Sequence, residues 1–152
     1  MSLTFQGINQ LGFVVNDAIE IARRQQILFN CDSPVIIDAE VKADFWGQAI
    51  TPYKIKIAFL TLGELQLEFI QVLAGTPTVY TDFLDQCGEG LHHVGINVPN
   101  LQKALDGVVD EGIEVLWSGV IYSVPFAYLD TQQRFGTIIE LIELSPPNPL
   151  GT

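Results

Sequence analysis

The sequence predicts an α+β fold built from two βαβββ modules, eight strands in one mixed sheet with two main helices on one of its faces. Three observations lead there. First, Ile8-Asn9-Gln10-Leu11-Gly12-Phe13-Val14-Val15 is matched later by Leu91-His92-His93-Val94-Gly95-Ile96-Asn97-Val98, which aligns Gln10 with His93, Gly12 with Gly95 and Val15 with Val98 at an offset of 83 residues. Second, Gln66-Leu67-Glu68-Phe69-Ile70-Gln71 is matched by Ile138-Ile139-Glu140-Leu141-Ile142-Glu143 at an offset of 72. Third, the two matches keep the same order, so the 11-residue difference between their offsets is an insertion in the first half. The polar and aromatic stretch 42–53, with Gly47 and Pro52, is its natural place. An internal repeat of this kind decides topology before residue-level propensities do.

Each element then follows in order. Residues 7–15 are rich in β-branched and aromatic side chains and read as a strand. Asn16-Asp17 supplies an N-cap, and 18–29 reads as a helix with Ile19, Ala22, Ile27 and Leu28 on one broad face. Strands follow at 35–38, 55–62 and 65–72, the last two joined through Gly63-Glu64 as a short hairpin turn. Residues 78–87 read as a linking helix, stopped by Gly88 and Gly90. The second half repeats the plan: strand 91–98, helix 101–111 ended by Gly112, then strands 113–117, 125–130 and 137–144. Pro99 cannot donate to a strand ladder and Asn100 is a good N-cap, so the change from strand to helix is well marked. The chain is thus a single domain over 1–152, with module one at 7–73, the linker helix at 78–87, module two at 90–144 and a Pro-rich tail at 145–152.

Strand alternation assigns faces. Leu11, Phe13 and Val15 share one face of the first strand, opposite Ile8, Gln10, Gly12 and Val14. On the matching strand Val94, Ile96 and Val98 oppose Leu91, His93, Gly95 and Asn97. The all-apolar face seats the helix, which leaves Gln10 and His93 on the other, concave side. By the same alternation His92 points away from His93.

Composition narrows the function classes. Of 152 residues, 48% are hydrophobic and 16% charged, which is globular. Seven Lys and Arg against 18 Asp and Glu give a net charge of -11. That balance argues against nucleic acid and anionic membrane surfaces, whose phosphates need clustered basic residues. Cys31 and Cys87 are too few for a disulfide scaffold, so a cytoplasmic home is expected. No transmembrane helix or signal peptide is expected.

Four polar positions stand out. Glu68 and Glu140 are repeat-matched carboxylates, each inside a strongly apolar strand, and Gln10 and His93 are repeat-matched on the first strands. A buried carboxylate is costly unless paired, hydrogen-bonded or metal-bound. Taken singly, a strand Glu usually faces solvent and a lone His or Gln is usually structural. Taken together, the four make an N/O ligand set of one imidazole, two carboxylates and one amide oxygen. Such a set suits a divalent ion such as Zn, Ni, Co or Mn. Gln71 and Glu143, three residues past the carboxylates, fall on the opposite face as supporting or exposed residues. Phe59, Phe69, Phe126, Tyr128 and Trp117 are available as apolar walls around the site or as plain core.

Gly90-Leu91-His92-His93-Val94-Gly95, Val98-Pro99-Asn100-Leu101, the Gly112 stop and Phe135-Gly136-Thr137-Ile138-Ile139-Glu140-Leu141-Ile142-Glu143 resemble the vicinal-oxygen-chelate superfamily. That superfamily includes glyoxalase I, methylmalonyl-CoA epimerase, extradiol dioxygenases and bleomycin-resistance proteins. Module one carries the weaker match, and the resemblance spans residues 7 to 144. It implies a barrel-like concave sheet with helices outside and a metal site held by Gln10, Glu68, His93 and Glu140, often within a homodimer. A Gln, Glu, His, Glu set is similar to that of one class of glyoxalase I. Epimerase relatives commonly have His where Gln10 stands and Gln where Glu68 stands, although Gly88-Glu89-Gly90-Leu91-His92-His93 looks more like their branch. The single His at a ligand position counts against extradiol chemistry.

The resemblance implies an enzyme, a lyase or isomerase of the lactoylglutathione lyase or methylmalonyl-CoA epimerase type, moving a proton beside a carbonyl. Glu140 and Glu68 are its catalytic carboxylates. Its substrate is a small molecule: a thiol adduct, a CoA ester or another carbonyl compound. The alternative is a metal-free binding protein of the bleomycin-resistance type, for which the net charge of -11 suits a cationic ligand.

Overall fold

The computed structural model describes residue 5 and residues 7–144, and the tail expected over 145–152 lies outside them. Module one comprises β1 (Gln10–Val14), α1 (Ala18–Phe29), β2 (Val35–Phe45), β3 (Gln48–Ala49), β4 (Tyr53–Leu62) and β5 (Leu65–Ala74). The linker is α2 (Thr78–Cys87). Module two comprises β6 (Gly90–Val98), α3 (Leu101–Asp110), β7 (Val115–Ile121), β8 (Val124–Leu129), α4 (Gln132–Phe135) and β9 (Ile138–Glu143). The sheet order is β3-β2-β4-β5-β1-β6-β9-β8-β7, and β2 also pairs with β7. Eight strands therefore close into a mixed barrel within one chain, with β3 as a short addition on β2.

The repeat is visible in the strand register. β1 and β6 run antiparallel at the centre, and each is flanked by the last strand of its own module in parallel, β5 beside β1 and β9 beside β6. The two outer helices start alike. Asp17 caps α1 by accepting from Glu20 N at 2.9 Å, and its repeat partner Asn100 caps α3 by accepting from Lys103 N at 2.8 Å. Each helix start is also tied to the last strand of its module. Gln71 Oε1 accepts from Ala18 N at 3.1 Å, and Glu143 Oε2 accepts from Leu101 N at 2.7 Å. Gln71 and Glu143 thus do lie opposite Glu68 and Glu140, where they fix the helices on the sheet.

The stretch 42–53 is strand as well as insertion. Ala39, Val41 and Ala43 are buried while Glu40 and Lys42 are exposed, a period of two that carries β2 as far as Phe45. Its second half, Lys42–Phe45, pairs with Trp117–Val120 of β7 and closes the barrel. Trp46 and Gly47, both at positive φ (50° and 78°), make the tight turn into β3.

Packing corrects one expected face. α1 buries Ala18 and Ala22, with Ile21 beside them, against Val15, Leu60 and Phe69. Ile27 and Leu28, expected on that face, are 81% and 75% exposed. At 3.6 residues per turn Ile27 lies opposite the Ala18–Ala22 stripe, so the small residues set the contact. α3 packs Leu101, Ala104 and Val108 on Ile96, Val98 and Leu141. The barrel interior is filled by Val14, Ile55, Tyr53, Trp117 and Tyr128, among others, and Tyr80 of α2 joins that cluster. No helix among the described residues is long and apolar enough to cross a membrane.

Candidate metal site

The four sequence-predicted residues meet inside the barrel, and two glycines make room for them. Across the sheet Gly12 stands between Glu68 on β5 and His93 on β6, while Gly95 stands between Gln10 on β1 and Glu140 on β9. A Cβ on Gly12 would lie 2.0 Å from the His93 ring, and one on Gly95 would lie 2.9 Å from Gln10 Cβ. The side chains of Glu68, His93, Gln10 and Glu140 thus come together over backbone that carries no side chain of its own.

All four are buried. His93 Nε2 lies 2.9 Å from Glu140 Oε2 and 3.2 Å from Glu68 Oε2. Gln10 Oε1 is 3.3 Å from His93 Nε2, and the same amide atom is 3.0 and 3.2 Å from the oxygens of Glu140 and Glu68. With donor–metal distances of about 2.0–2.2 Å, neighbouring ligands stand roughly 2.9–3.5 Å apart, which is the spacing found here. The donor set therefore fits a divalent ion geometrically and chemically.

Charge compensation points the same way. Two buried carboxylates need a cation between them. In the metal-free protein that cation is a proton on His93. Burial by itself would lower the imidazole pKa, but the charges and hydrogen bonds of Glu140 and Glu68 outweigh it and raise the value to about 10. Burial also pushes the Glu140 carboxyl above the ordinary range, against the pull of His93 and with the charge of Glu68 adding to it. A divalent ion would replace the proton at Nε2.

Two supporting residues were not read from the sequence. Gln66, directly across from Gln10 in the β1–β5 register, accepts from Gln10 Nε2 at 2.8 Å and so turns the Gln10 oxygen inward. Alternation placed Gln66 on the same face as Glu68 two residues on, which was the available signal. His92 is the second. A β-bulge between Gly12 and Phe13 leaves His92 as the extra residue of β6, and it lies beside His93 instead of across the sheet from it. The expectation that His92 points away fails because the bulge breaks the alternation.

His92 Nε2 lies 2.8 Å from the Val79 carbonyl of α2, and the two histidine Nδ1 atoms are 3.0 Å apart. A carbonyl only accepts, so His92 Nε2 carries the proton. Burial among Tyr80, Phe83 and Tyr128, with the His93 charge adding to it, lowers the His92 pKa to about 3 and keeps the ring neutral. Its Nδ1 is then an acceptor, and His93 Nδ1 donates to it. His93 Nε2 is thereby the nitrogen facing the carboxylates, the one free to bind an ion.

Beyond the donors the barrel opens into a cleft of about 430 Å³. Ile37, Ile57, Phe59, Ile121, Phe126 and Ile142 are among its walls, with Asn9, Gln66, Asn97 and Tyr122 among its polar lining. Of the expected aromatic walls, Phe59 and Phe126 line the cleft. Trp117 and Tyr128 are buried in the barrel core, and Phe69 packs under α1. Tyr122 and Ser123 turn β7 into β8 with positive φ (46° and 66°), and the Tyr122 hydroxyl donates to the Asp38 carbonyl, joining that turn to β2.

Comparison with known proteins agrees with this fold. A family model described as the Glyoxalase/Bleomycin resistance protein/Dioxygenase superfamily matches residues 9–128. The protein YqjC of Bacillus subtilis is 24% identical over 99 residues, 63% of this chain and 70% of that protein. Among solved structures, methylmalonyl-CoA epimerase from Mycobacterium tuberculosis superposes with a TM-score of 0.70 at 18% identity, covering 96% of this chain and 94% of the other. A Streptomyces coelicolor methylmalonyl-CoA epimerase variant in complex with 2-nitronate-propionyl-CoA gives 0.69 at 15% identity, covering 95% of this chain and 100% of the other.

Proposed function

Because the chain belongs to the glyoxalase/bleomycin resistance protein/dioxygenase superfamily, we propose that it is a metal-dependent lyase or isomerase that moves a proton on the carbon beside a carbonyl. The observation that carries this reading is the convergence of Gln10, Glu68, His93 and Glu140 at the head of an apolar cleft. These four residues would hold one divalent ion of the Zn, Ni, Co or Mn type. When bound, the ion supplies positive charge that stabilises the oxyanion formed as the proton leaves.

The protein's own residues do the rest. Glu140 takes the proton on a carboxylate oxygen that stands at the head of the apolar cleft. Glu68 stands on the other side of His93 as the second carboxylate. Gln66 and His92 hold the amide oxygen and the imidazole Nε2 towards the ion. The walls around Phe59 and Phe126 exclude water from the reacting carbon. The substrate is a small carbonyl compound. The CoA ester held by the Streptomyces epimerase makes an acyl-CoA one candidate, a thiol adduct another. The proposal includes a cytoplasmic location, which the free thiols of Cys31 and Cys87 support. It also includes a homodimer, for which the exposed Ile27 and Leu28 offer apolar surface.

The test is metal analysis joined to isotope exchange. Purified protein is expected to hold stoichiometric divalent metal and to exchange the proton beside a substrate carbonyl with deuterated solvent. Glu140→Gln should lower the exchange rate by roughly 10²–10⁴-fold, the range for losing a general base. Absence of stoichiometric metal, together with no affinity for added Zn, Ni or Co, would falsify the proposal.

One observation favours a second reading, a metal-free binding protein. With the Gln10 amide turned over, its nitrogen donates to Glu140 at 3.0 Å and to Glu68 at 3.2 Å, which satisfies both carboxylates without an ion. In that case a Gln10→Leu variant would lose stability and leave metal content at zero. In the metal reading the same variant loses metal affinity.

A further inference from the structure

We infer that the part of the substrate beyond the reacting carbonyl is uncharged and apolar, of the size of an aromatic ring or a short branched alkyl group, with no phosphate or carboxylate tail. This inference rests on the metal-dependent reading of the same site and narrows it: among the candidate substrates it excludes acyl-CoA esters and glutathione adducts in favour of an uncharged carbonyl compound.

The chain has only seven Lys and Arg, all among the described residues, and none of them lines the cleft. Lys56 is the cation that lies next in sequence to a wall residue, Ile57. It pairs with Asp38 at 2.6 Å, and Asp38 is likewise next to the wall residue Ile37. By strand alternation both members of that pair lie on the outer face of the sheet. The ionisable acids that do line the cleft are Glu64, Glu68 and Glu140.

Charge bookkeeping at the donors gives the same answer. Two carboxylates, a neutral imidazole and a neutral amide balance a divalent ion, so the loaded site has no surplus positive charge to offer a second anion. A phosphate or carboxylate drawn into the cleft would be desolvated without a partner, and that is costly. The apolar walls reward the opposite kind of group. Ile37, Ile57, Phe59, Ile121, Phe126 and Ile142 offer hydrocarbon on several sides. A volume of about 430 Å³ is at the small end of the roughly 300–1,000 Å³ range of ligand pockets. The neutral polar lining includes the amides of Asn9, Asn97 and Gln66 and the hydroxyl of Thr61, which hydrogen-bond a neutral oxygen without demanding charge.

The test keeps the metal-binding head constant and varies only the tail. Cobalt(II)-loaded protein is titrated with acetohydroxamate, benzohydroxamate and a benzohydroxamate bearing a ring carboxylate, followed by the visible cobalt spectrum and by calorimetry. Benzohydroxamate is expected to bind about tenfold or more tightly than either of the others, because its ring is buried without a charge. Coenzyme A and glutathione should not displace it. A Val124→Lys variant, at a half-buried lining position, should shift preference towards the carboxylate-bearing probe.

The inference is overturned if the carboxylate-bearing probe binds as tightly as benzohydroxamate, or if coenzyme A or glutathione competes with it. Failure of the underlying metal reading looks different: the protein takes up no cobalt. Calorimetry on that metal-free protein with toluene and benzoate then decides the substrate class separately. Toluene binding alone supports an apolar site, and preferred benzoate binding overturns it.

Discussion

The two modules carry the same plan with different chemistry at matched positions. Module one offers Gln10, a neutral amide backed by the amide of Gln66; module two offers His93, an imidazole backed by the imidazole of His92. The position in module two that matches Gln66 is Ile138, which lies across from His93 and cannot hydrogen-bond it. His93 therefore needs another partner, and the bulge in β6 supplies one from the neighbouring residue. Only the carboxylates, Glu68 and Glu140, are the same in both halves. A pseudo-symmetric barrel can thus hold an asymmetric donor set, one charged pair and two neutral ligands, on a nearly symmetric backbone.

Exchanging residues between the halves tests how distinct their donor seats are. The largest effect is expected at the glycines. Gly12→Ala would drive a methyl group into the His93 ring, 2.0 Å away, whereas Gly95→Ala meets Gln10 Cβ at 2.9 Å. Metal titration and thermal melting should show Gly12→Ala as the worse variant on both counts, with a cost near the upper end of the roughly 1–3 kcal/mol of overpacking. Equal losses in the two variants would mean that the imidazole and amide seats are not distinct.

Ligand exchange comes next. His93→Gln gives module two the donor of module one and should weaken zinc binding by about a hundredfold, the scale on which lost hydrogen-bonded ligand geometry is felt. Gln10→His, seated over Gly95, should keep or raise affinity. Competition with a coloured chelator reads both. A smaller change, about tenfold, is expected for Gln66→Leu and for His92→Phe, because each removes only the partner of a ligand. Nitrogen NMR of the His93 ring distinguishes them: His92→Phe should redistribute the proton between Nδ1 and Nε2, and Gln66→Leu should not.

The smallest effects are at the helix starts. Glu143 brings a carboxylate to the first turn of α3, where Gln71 brings an amide to that of α1. Glu143→Gln should cost about 0.3–1 kcal/mol and Gln71→Glu should gain a similar amount, from the helix dipole. Urea unfolding reads both.

Alkaline pH tests the interface of the halves as a whole. Tyr53 of module one, Tyr80 of the linker and Tyr128 of module two share the barrel core. Burial raises all three above the ordinary tyrosine value of 10.0, Tyr53 to about 12. Unfolded tyrosines ionise first, so their contribution to stability is intact below pH 10 and falls as the pH rises from there through about 12, whereas in the metal-free protein the His93 contribution is already lost as the pH rises from 6.5 through about 10. Unfolding followed by tyrosinate absorbance should begin in that window.

The fold was legible because repetition and alternation are properties of the chain itself. The offsets of Gln10 to His93 and Glu68 to Glu140 locate both modules, alternation places Gln10 and His93 on the concave face, and the repeat groups Glu68 and Glu140 with them. What escaped depends on backbone that departs from alternation or on contacts between distant strands. His92 was misplaced by a bulge that the paired histidines do not announce. The closing pairing of β2 with β7 joins strands far apart in sequence, so no local pattern announces it, although Val41 and Ala43 continue the strand alternation into the insertion. Gln66 shares the face of Glu68, but only its register against Gln10 gives it a role, and register is not visible in one strand's sequence.

X-ray absorption of the zinc- or cobalt-loaded protein tests most directly that both modules feed one metal centre. One ion per chain, with a single imidazole and otherwise oxygen donors, and with a coordination shell altered alike by Glu68→Gln and Glu140→Gln, is the predicted result. A second imidazole, a sulfur donor, or a shell that changes in one variant and not in the other would contradict it.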